Sequence, residues 1–189
     1  MTDWRKELDD TYSYLYTHGY TAGPVKRLLG YARNSLMNCD RILDAGCGLC
    51  AFEQQMALHG YTGQIRGIDV SKAVTLRAPT WCHARHGSLD KMKYRDGEFD
   101  GLFCCDVLEH IPPTHIDTVI KELRRVLHPA GNFAISISCK SSFFRDKSKG
   151  DLHLTIQKPE WWKEKLTAFG FNYVAAINES NERTVSLWG

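Results

Sequence analysis

Apolar positions along the chain fall into two kinds of pattern that alternate: three- and four-residue steps, and short unbroken runs. Trp4, Leu8, Tyr12 and Leu15 follow the first, with Tyr14, Tyr16 and Tyr20 beside them. Val25, Leu28, Leu29 and Ala32 repeat it after Gly23-Pro24, a proline suited to a first helical position. Two helices are therefore expected before the main fold, as an amphipathic cover over one sheet edge. The runs Ile42-Leu43, Ile65–Ile68, Gly101–Cys105 and Asn132–Cys139 have strand length. Between them lie helical stretches: Phe52, Met56 and Leu58; Lys72 to Arg77 behind a possible Ser71 cap; and Ile116, Val119, Ile120, Leu123, Val126 and Leu127. Thr114 and Asp117 read as a capping pair for the last of these, and His128-Pro129-Ala130-Gly131 as its stop. Cys82 to His86 is polar, but a strand is expected there before Gly87. The chain closes with a helix from Pro159 to Phe169 and two strands, Phe171–Ile177 and Thr184–Trp188, as a hairpin across Asn178–Arg183. Strands alternating with helices make this an α/β protein with a mostly parallel sheet.

The stretch with the most chemistry is Arg41 to Val70. A short apolar run ends in Asp44, Gly46-Cys47-Gly48 makes a tight turn, a helix follows, and a second run ends in Asp69. This is the order of a nucleotide-binding βαβ unit, whose glycines let backbone approach the ligand. Asp69 stands 21 residues after Gly48, where an acid at a strand tip accepts both ribose hydroxyl protons. Asp44 selects among nucleotides, because a carboxylate at this turn repels a pyrophosphate but suits a cation.

Leu43-Asp44-Ala45-Gly46-Cys47-Gly48 resembles motif I of the class I S-adenosylmethionine-dependent methyltransferases, with Cys50 in place of that motif's third glycine. FDGLFCCDVLEHIP, Phe99 to Pro112, resembles the fourth-strand motif of the small-molecule branch of the same superfamily. The resemblance covers nearly everything from residue 40 onward. It implies a Rossmann-like sheet with helices on both faces and a reversed C-terminal strand, with S-adenosyl-L-methionine as methyl donor and S-adenosyl-L-homocysteine as product. It also implies a donor site at Asp44, Ala45, Gly46, Cys47, Gly48, Asp69 and Val70. Ser88-Leu89-Asp90 would face the adenine, with Asp90 replacing the usual acid at the Ser88 position. Backbone at Cys104 and Cys105 would line the methionine part, and His110 would stand near the transferable methyl. N-terminal helices of such enzymes often close over the ligands, so the tyrosines are lid candidates.

The whole chain sets limits on function. Its 189 residues suffice for a single domain: a helical cover over 1–35, a donor-binding core over 40–139, an acceptor loop over 140–158, and a closing helix and hairpin over 159–189. Hydrophobic residues make up 43% and net charge is only +2, too weak to imply nucleic-acid binding. The polar start and the lack of a long apolar run predict a cytoplasmic protein with no membrane role. Seven cysteines without scaffold spacing are expected to be reduced thiols. Cys47-Gly48-Leu49-Cys50 lies inside the nucleotide motif, no second such pair completes a zinc site, and no metal is expected.

Lys140 to Lys158 has no periodicity and follows a strand, where loops of α/β sheets build sites. It reads as the acceptor wall, and Lys140, Arg145, Lys147 and Lys149 suit either an anionic or phosphorylated acceptor such as a nucleotide sugar or simply a solvated charged loop. Its D-x-H and P-x-W-W pattern also resembles small methyltransferases of sugar modification. The acceptor group is a hydroxyl or an amine; an amine needs little beyond alignment, whereas a hydroxyl benefits from a general base, for which His153 and His110 are the candidates. Two other readings stand beside methyl transfer to a small molecule. One is an NAD-linked oxidoreductase, which Gly46-x-Gly48-x-x-Ala51 also permits; the other is a catalytically silent donor-binding module.

Overall fold

A computed structural model of the protein describes residues 3–20, 25–142, 145–146, 150–173, 175–179 and 184–189. Two helices come first, α1 (Trp4–Thr17) and α2 (Val25–Met37). The core then runs β1 (Arg41–Ala45), α3 (Ala51–Leu58), β2 (Gln64–Asp69), α4 (Lys72–Arg77), β3 (Ala84–His86) and β4 (Phe99–Cys105). A single 3-10 turn at Leu108–His110 leads to α5 (Ile116–Val126) and β5 (Leu127–Ser138). The loop that follows carries a two-strand ladder, β6 (Arg145–Asp146) with β7 (Gly150–Asp151). The chain ends with α6 (Pro159–Ala168), β8 (Ala175–Glu179) and β9 (Thr184–Trp188).

The main sheet has seven strands in the order β3-β2-β1-β4-β5-β9-β8. Strands β1 to β5 pair in parallel, while β9 is antiparallel to both of its neighbours. Helices cover both faces, so inner strands are apolar on both sides rather than alternating with polar residues. Successive side chains point to opposite faces. Leu43, Leu102, Phe133 and Ile135 join α5 and α6 in one cluster; Ile42, Phe103 and Ala134 join α2 and α3 in the other. The second cluster is keyed by Phe52 stacked on Phe103, centroids 4.0 Å apart.

Several expectations need correction. The N-terminal helices do not share a sheet edge. Helix α2 packs Leu28, Leu29, Ala32 and Leu36 onto one sheet face, whereas α1 lies across the carboxyl ends of the strands. The Gly23-Pro24 signal lies outside the described residues, as does the turn at residues 180–183. Thr114 is not a cap: His115 precedes α5 without a side-chain bond, and Asp117 pairs with Lys165 at 2.8 Å. The stretch His128 to Gly131 belongs to β5, because Leu127 already pairs with Phe99 before a bulge lets Asn132 meet Gly101. Strand β8 starts at Ala175 rather than Phe171, whose ring is buried against Phe133. Leu58 is exposed. Cys50 and Cys82 form a disulfide, so two of the cysteines are not reduced thiols; Cys39, Cys47, Cys104, Cys105 and Cys139 are free.

Candidate active site

A cavity opens at the carboxyl ends of β1, β2 and β4, where ligands of open α/β sheets bind. Its floor is the turn after β1. Gly46 at φ +80° and Gly48 at φ +51° take left-handed conformations that disfavour side chains. A Cβ added at Gly46 would also lie 2.3 Å from a methyl of Val107, and one at Gly48 would lie 2.7 Å from the Tyr16 hydroxyl. Cys50, in the place of the motif's third glycine, has φ 62° at the start of α3. The backbone therefore keeps the glycine conformation although the side chain is not glycine.

Two of the three acids expected at the donor site, Asp44 and Asp69, face this floor. Asp69 accepts the Gly48 N–H at 3.0 Å and the Ser71 N–H at 2.8 Å, so it shapes the turn as well as lining the cavity. Burial pushes its carboxyl up despite those two bonds. Asp44 is 3% exposed and sits with Glu53 of α3 as a buried carboxyl pair. Burial holds both above the carboxylate range, Glu53 at about 7.

The opposite wall comes from α1 and the segment after β4. Trp4, Leu8, Tyr12, Tyr16 and Tyr20 face the cavity. Helix α1 is fixed over it by polar contacts to the β2–α4 corner and beyond. Asp9 accepts the Lys72 N–H at 2.8 Å, Ser13 meets Ser71 at 2.9 Å, and Arg5 pairs with Asp90. Asp106 follows β4 with φ 54°, and its carboxylate accepts from the Ser136 hydroxyl at 2.7 Å. His110 lies on the cavity wall, 8% exposed. Its Nδ1 is 2.6 Å from the Tyr12 hydroxyl and 2.9 Å from the Leu152 carbonyl. Burial lowers His110 to about 4, so the ring is neutral near pH 7.

Among the residues expected at the site, Asp44, Gly46, Cys47, Gly48, Asp69, Val70, Ser88, Leu89, Cys105 and His110 line one cavity. Ala45 and Cys104 are fully buried behind that wall. Asp90 is turned away: Arg5 and the Ser88 hydroxyl occupy its carboxylate, the latter at 2.6 Å, and Ser88 itself reaches the cavity. His153 stands behind His110, ring centroids 4.7 Å apart, its Nδ1 2.5 Å from the Lys140 carbonyl. Glu53, Asp106 and Glu109 were not singled out from sequence. Asp106 and Glu109 lie within a quoted motif; Glu53 shows only as an acid on an otherwise apolar helix face.

Comparison with known proteins agrees with this geometry. Residues 43–135 match the family model described as "Methyltransferase domain". A probable methyltransferase, ltbC of Aspergillus luteorubrus, is 30% identical over 120 residues, covering 56% of this chain and 42% of that protein. A ubiquinone biosynthesis O-methyltransferase of Dechloromonas aromatica is 31% identical over 104 residues, covering 51% and 43%. The chain thus spans about two fifths of the length of these curated relatives. Among solved structures, the [4+2]-cyclase SpnF superposes with TM-score 0.76 at 19% identity, over 95% of this chain and 77% of that one. The 1,6-didemethyltoxoflavin-N1-methyltransferase of Burkholderia thailandensis, solved with its substrate and S-adenosylhomocysteine, gives 0.72 at 16%, over 97% and 85%. At these identities the structural likeness speaks for the fold. Among the described residues no helix is long and apolar enough to cross a membrane.

Proposed function

We propose that the chain is a class I S-adenosylmethionine-dependent methyltransferase, a reading supported by the match of residues 43–135 to a methyltransferase domain, and that it moves the donor's methyl group to a hydroxyl of a small molecule. The observation that carries this reading is the single cavity with Asp44, Gly46, Gly48 and Asp69 on one side and His110 on the other. The donor brings a sulfonium and an ammonium but no phosphate. Two buried acids at the first crossover favour such a cation and disfavour a pyrophosphate, which argues against a nicotinamide dinucleotide.

Methyl transfer from a sulfonium is an in-line displacement, so the protein's main task is to align nucleophile, carbon and sulfur and to exclude water. Asp69 holds the ribose and the glycine turn together. Helix α1, tied down through Asp9, Ser13 and Arg5, closes the cavity from above. The acceptor hydroxyl is presented on the His110 side, where His110 and His153 are the groups that deal with its proton. A sugar or nucleotide-sugar hydroxyl fits that polar end. The basic side chains of Arg145, Lys147 and Lys149, which suggested an anionic acceptor, lie outside what the structure describes.

Calorimetry with S-adenosylmethionine tests the donor site: binding is expected for the wild type and at least tenfold weaker binding for Asp69→Asn. Conversion of donor to S-adenosylhomocysteine with a panel of hydroxyl acceptors tests the reaction. Donor binding without turnover on any acceptor favours the silent module, and uptake of NAD in place of the donor overturns the reading.

A further inference from the structure

Behind the His110 wall, one carboxylate oxygen and two imidazole nitrogens from Glu109, His110 and His153 lie within 4.8 Å of one another. Their hydrogen bonds decide which atoms are free. Glu109 is completely buried, and its Oε1 accepts the Ser138 N–H at 2.9 Å. Its Oε2, equally buried, has no hydrogen-bond partner among the described residues. Leaving a buried carboxyl oxygen without a partner is costly, and a cation that replaced its proton would supply one.

Both imidazoles are oriented toward the same role. The Leu152 carbonyl at 2.9 Å from His110 Nδ1 and the Lys140 carbonyl at 2.5 Å from His153 Nδ1 can only accept. Each Nδ1 therefore carries the proton, that of His110 shared between the Leu152 carbonyl and the Tyr12 hydroxyl oxygen, and each Nε2 keeps its lone pair. A metal-binding histidine has this arrangement: the far ring nitrogen donates to a backbone carbonyl, which fixes tautomer and ring direction. The loop bearing His153 is tied to the same centre, because the Glu109 carbonyl accepts the Leu154 N–H at 2.8 Å and the Thr155 N–H at 2.9 Å.

We propose that Glu109, His110 and His153 bind a divalent transition-metal ion at the acceptor end of the cavity. Two imidazole nitrogens and one carboxylate oxygen suit zinc, manganese or iron(II), whereas magnesium prefers oxygen ligands alone. Of the three, only His110 lines the cavity, and it is through His110 that the ion meets the acceptor in this proposal. The chemistry rests on the methyl-transfer reading. A coordinated hydroxyl loses its proton to solvent more readily. Its oxygen then forms the C–O bond as the C–S bond breaks, the sulfonium leaves as a neutral thioether, and one proton is released overall. In this arrangement His110 and His153 act on the hydroxyl's proton through the ion they hold rather than by accepting it directly.

The test begins with metal alone. Purified protein, stripped with chelator and dialysed, is titrated with Co2+ and followed by its d–d absorption, then with Zn2+ by competition. One equivalent is expected, with affinity falling at least tenfold in Glu109→Gln and in His153→Ala. His153 is half-buried on a loop, so that variant keeps the fold, which circular dichroism checks. Chelator is expected to abolish turnover while leaving donor affinity by calorimetry unchanged, and added metal to restore it. Wild-type protein without a stoichiometric cobalt spectrum, or a His153→Ala variant that binds cobalt as well as wild type, overturns the site. Full turnover in chelator overturns its role. Metal binding by protein that ignores S-adenosylmethionine would leave the site standing while removing the methyl-transfer reading.

Discussion

Donor binding should expel a proton from the Asp44–Glu53 pair, and pH is the perturbation that reveals it. Without donor, burial keeps Glu53 at about 7 against an ordinary 4.5. A group whose folded pKa lies above its unfolded value contributes stability that is complete below the unfolded pKa. That contribution is lost as pH climbs through the folded one. For Glu53 the window runs from 4.5 to about 7. At about 1.4 kcal/mol per unit, this is on the order of 3 kcal/mol, or very roughly 6 to 12 °C for a chain of this size. A cationic donor beside Asp44 reverses the preference, since it favours the fully ionised pair. Its affinity should therefore rise with pH by up to about tenfold per unit as Glu53 ionises.

The assay is thermal unfolding from pH 5 to 8 with and without S-adenosylmethionine, in wild type and Glu53→Gln. Other groups titrate in this range. Asp69 and Glu109 are also held high by burial, while His110, held low at about 4, loses its contribution as pH falls. The difference between wild type and Glu53→Gln removes these shared terms. The melting temperature of the ligand-free wild type should fall relative to the variant as pH rises, and the donor-induced shift should grow. Calorimetry in buffers of different ionisation enthalpy should count close to one proton released near pH 6. Parallel wild-type and variant curves, together with no buffer dependence of the binding heat, would refute the shared-proton account.

Gly46→Ala is expected to abolish measurable donor binding by calorimetry. It places a Cβ against Val107 and forces a side chain onto a backbone at φ +80°, which costs on the order of 1–2 kcal/mol before the clash is counted. Asp90→Asn should leave donor affinity within about twofold, because Asp90 faces Arg5 rather than the cavity, and should lower the melting temperature slightly. A large loss of affinity there would restore it to the adenine site. Reducing the Cys50–Cys82 disulfide, whose cysteines are 32 residues apart, should cost about 3–4 kcal/mol of stability by chain entropy, read as the urea midpoint with and without reductant.

How much of this was legible in the sequence depends on how local each cause is. The turn after β1 was readable because Asp44, Gly46 and Gly48 are neighbours in the chain and each answers to one backbone demand. Strand β4 was readable because an unbroken apolar run between two covered faces has no other use. Pairing between distant segments left weaker traces. Nothing near Leu127 announces that it will bond to Phe99, so the breaker at His128 to Gly131 reads as a loop although a bulge absorbs it into β5. Cys50 and Cys82 carry no spacing signal, and only the fold brings them together.

The acceptor end shows the same limit most sharply. His110 and His153 could each be picked out from the sequence as histidines on the acceptor side. Their tautomers are set by two backbone carbonyls, those of Leu152 and Lys140, which no side-chain pattern encodes. Glu109 looks like one more acid after an apolar strand. Only its burial, with one oxygen bonded to Ser138 and the other bare, distinguishes it from a solvated carboxylate. A chain can state which residues are capable of chemistry, but the atom each one leaves unpaired is decided by its neighbours in space. A buried carboxyl oxygen without a partner, close to two imidazoles beside the donor cavity, is therefore stronger grounds for a bound cation than the presence of histidines in the acceptor loop.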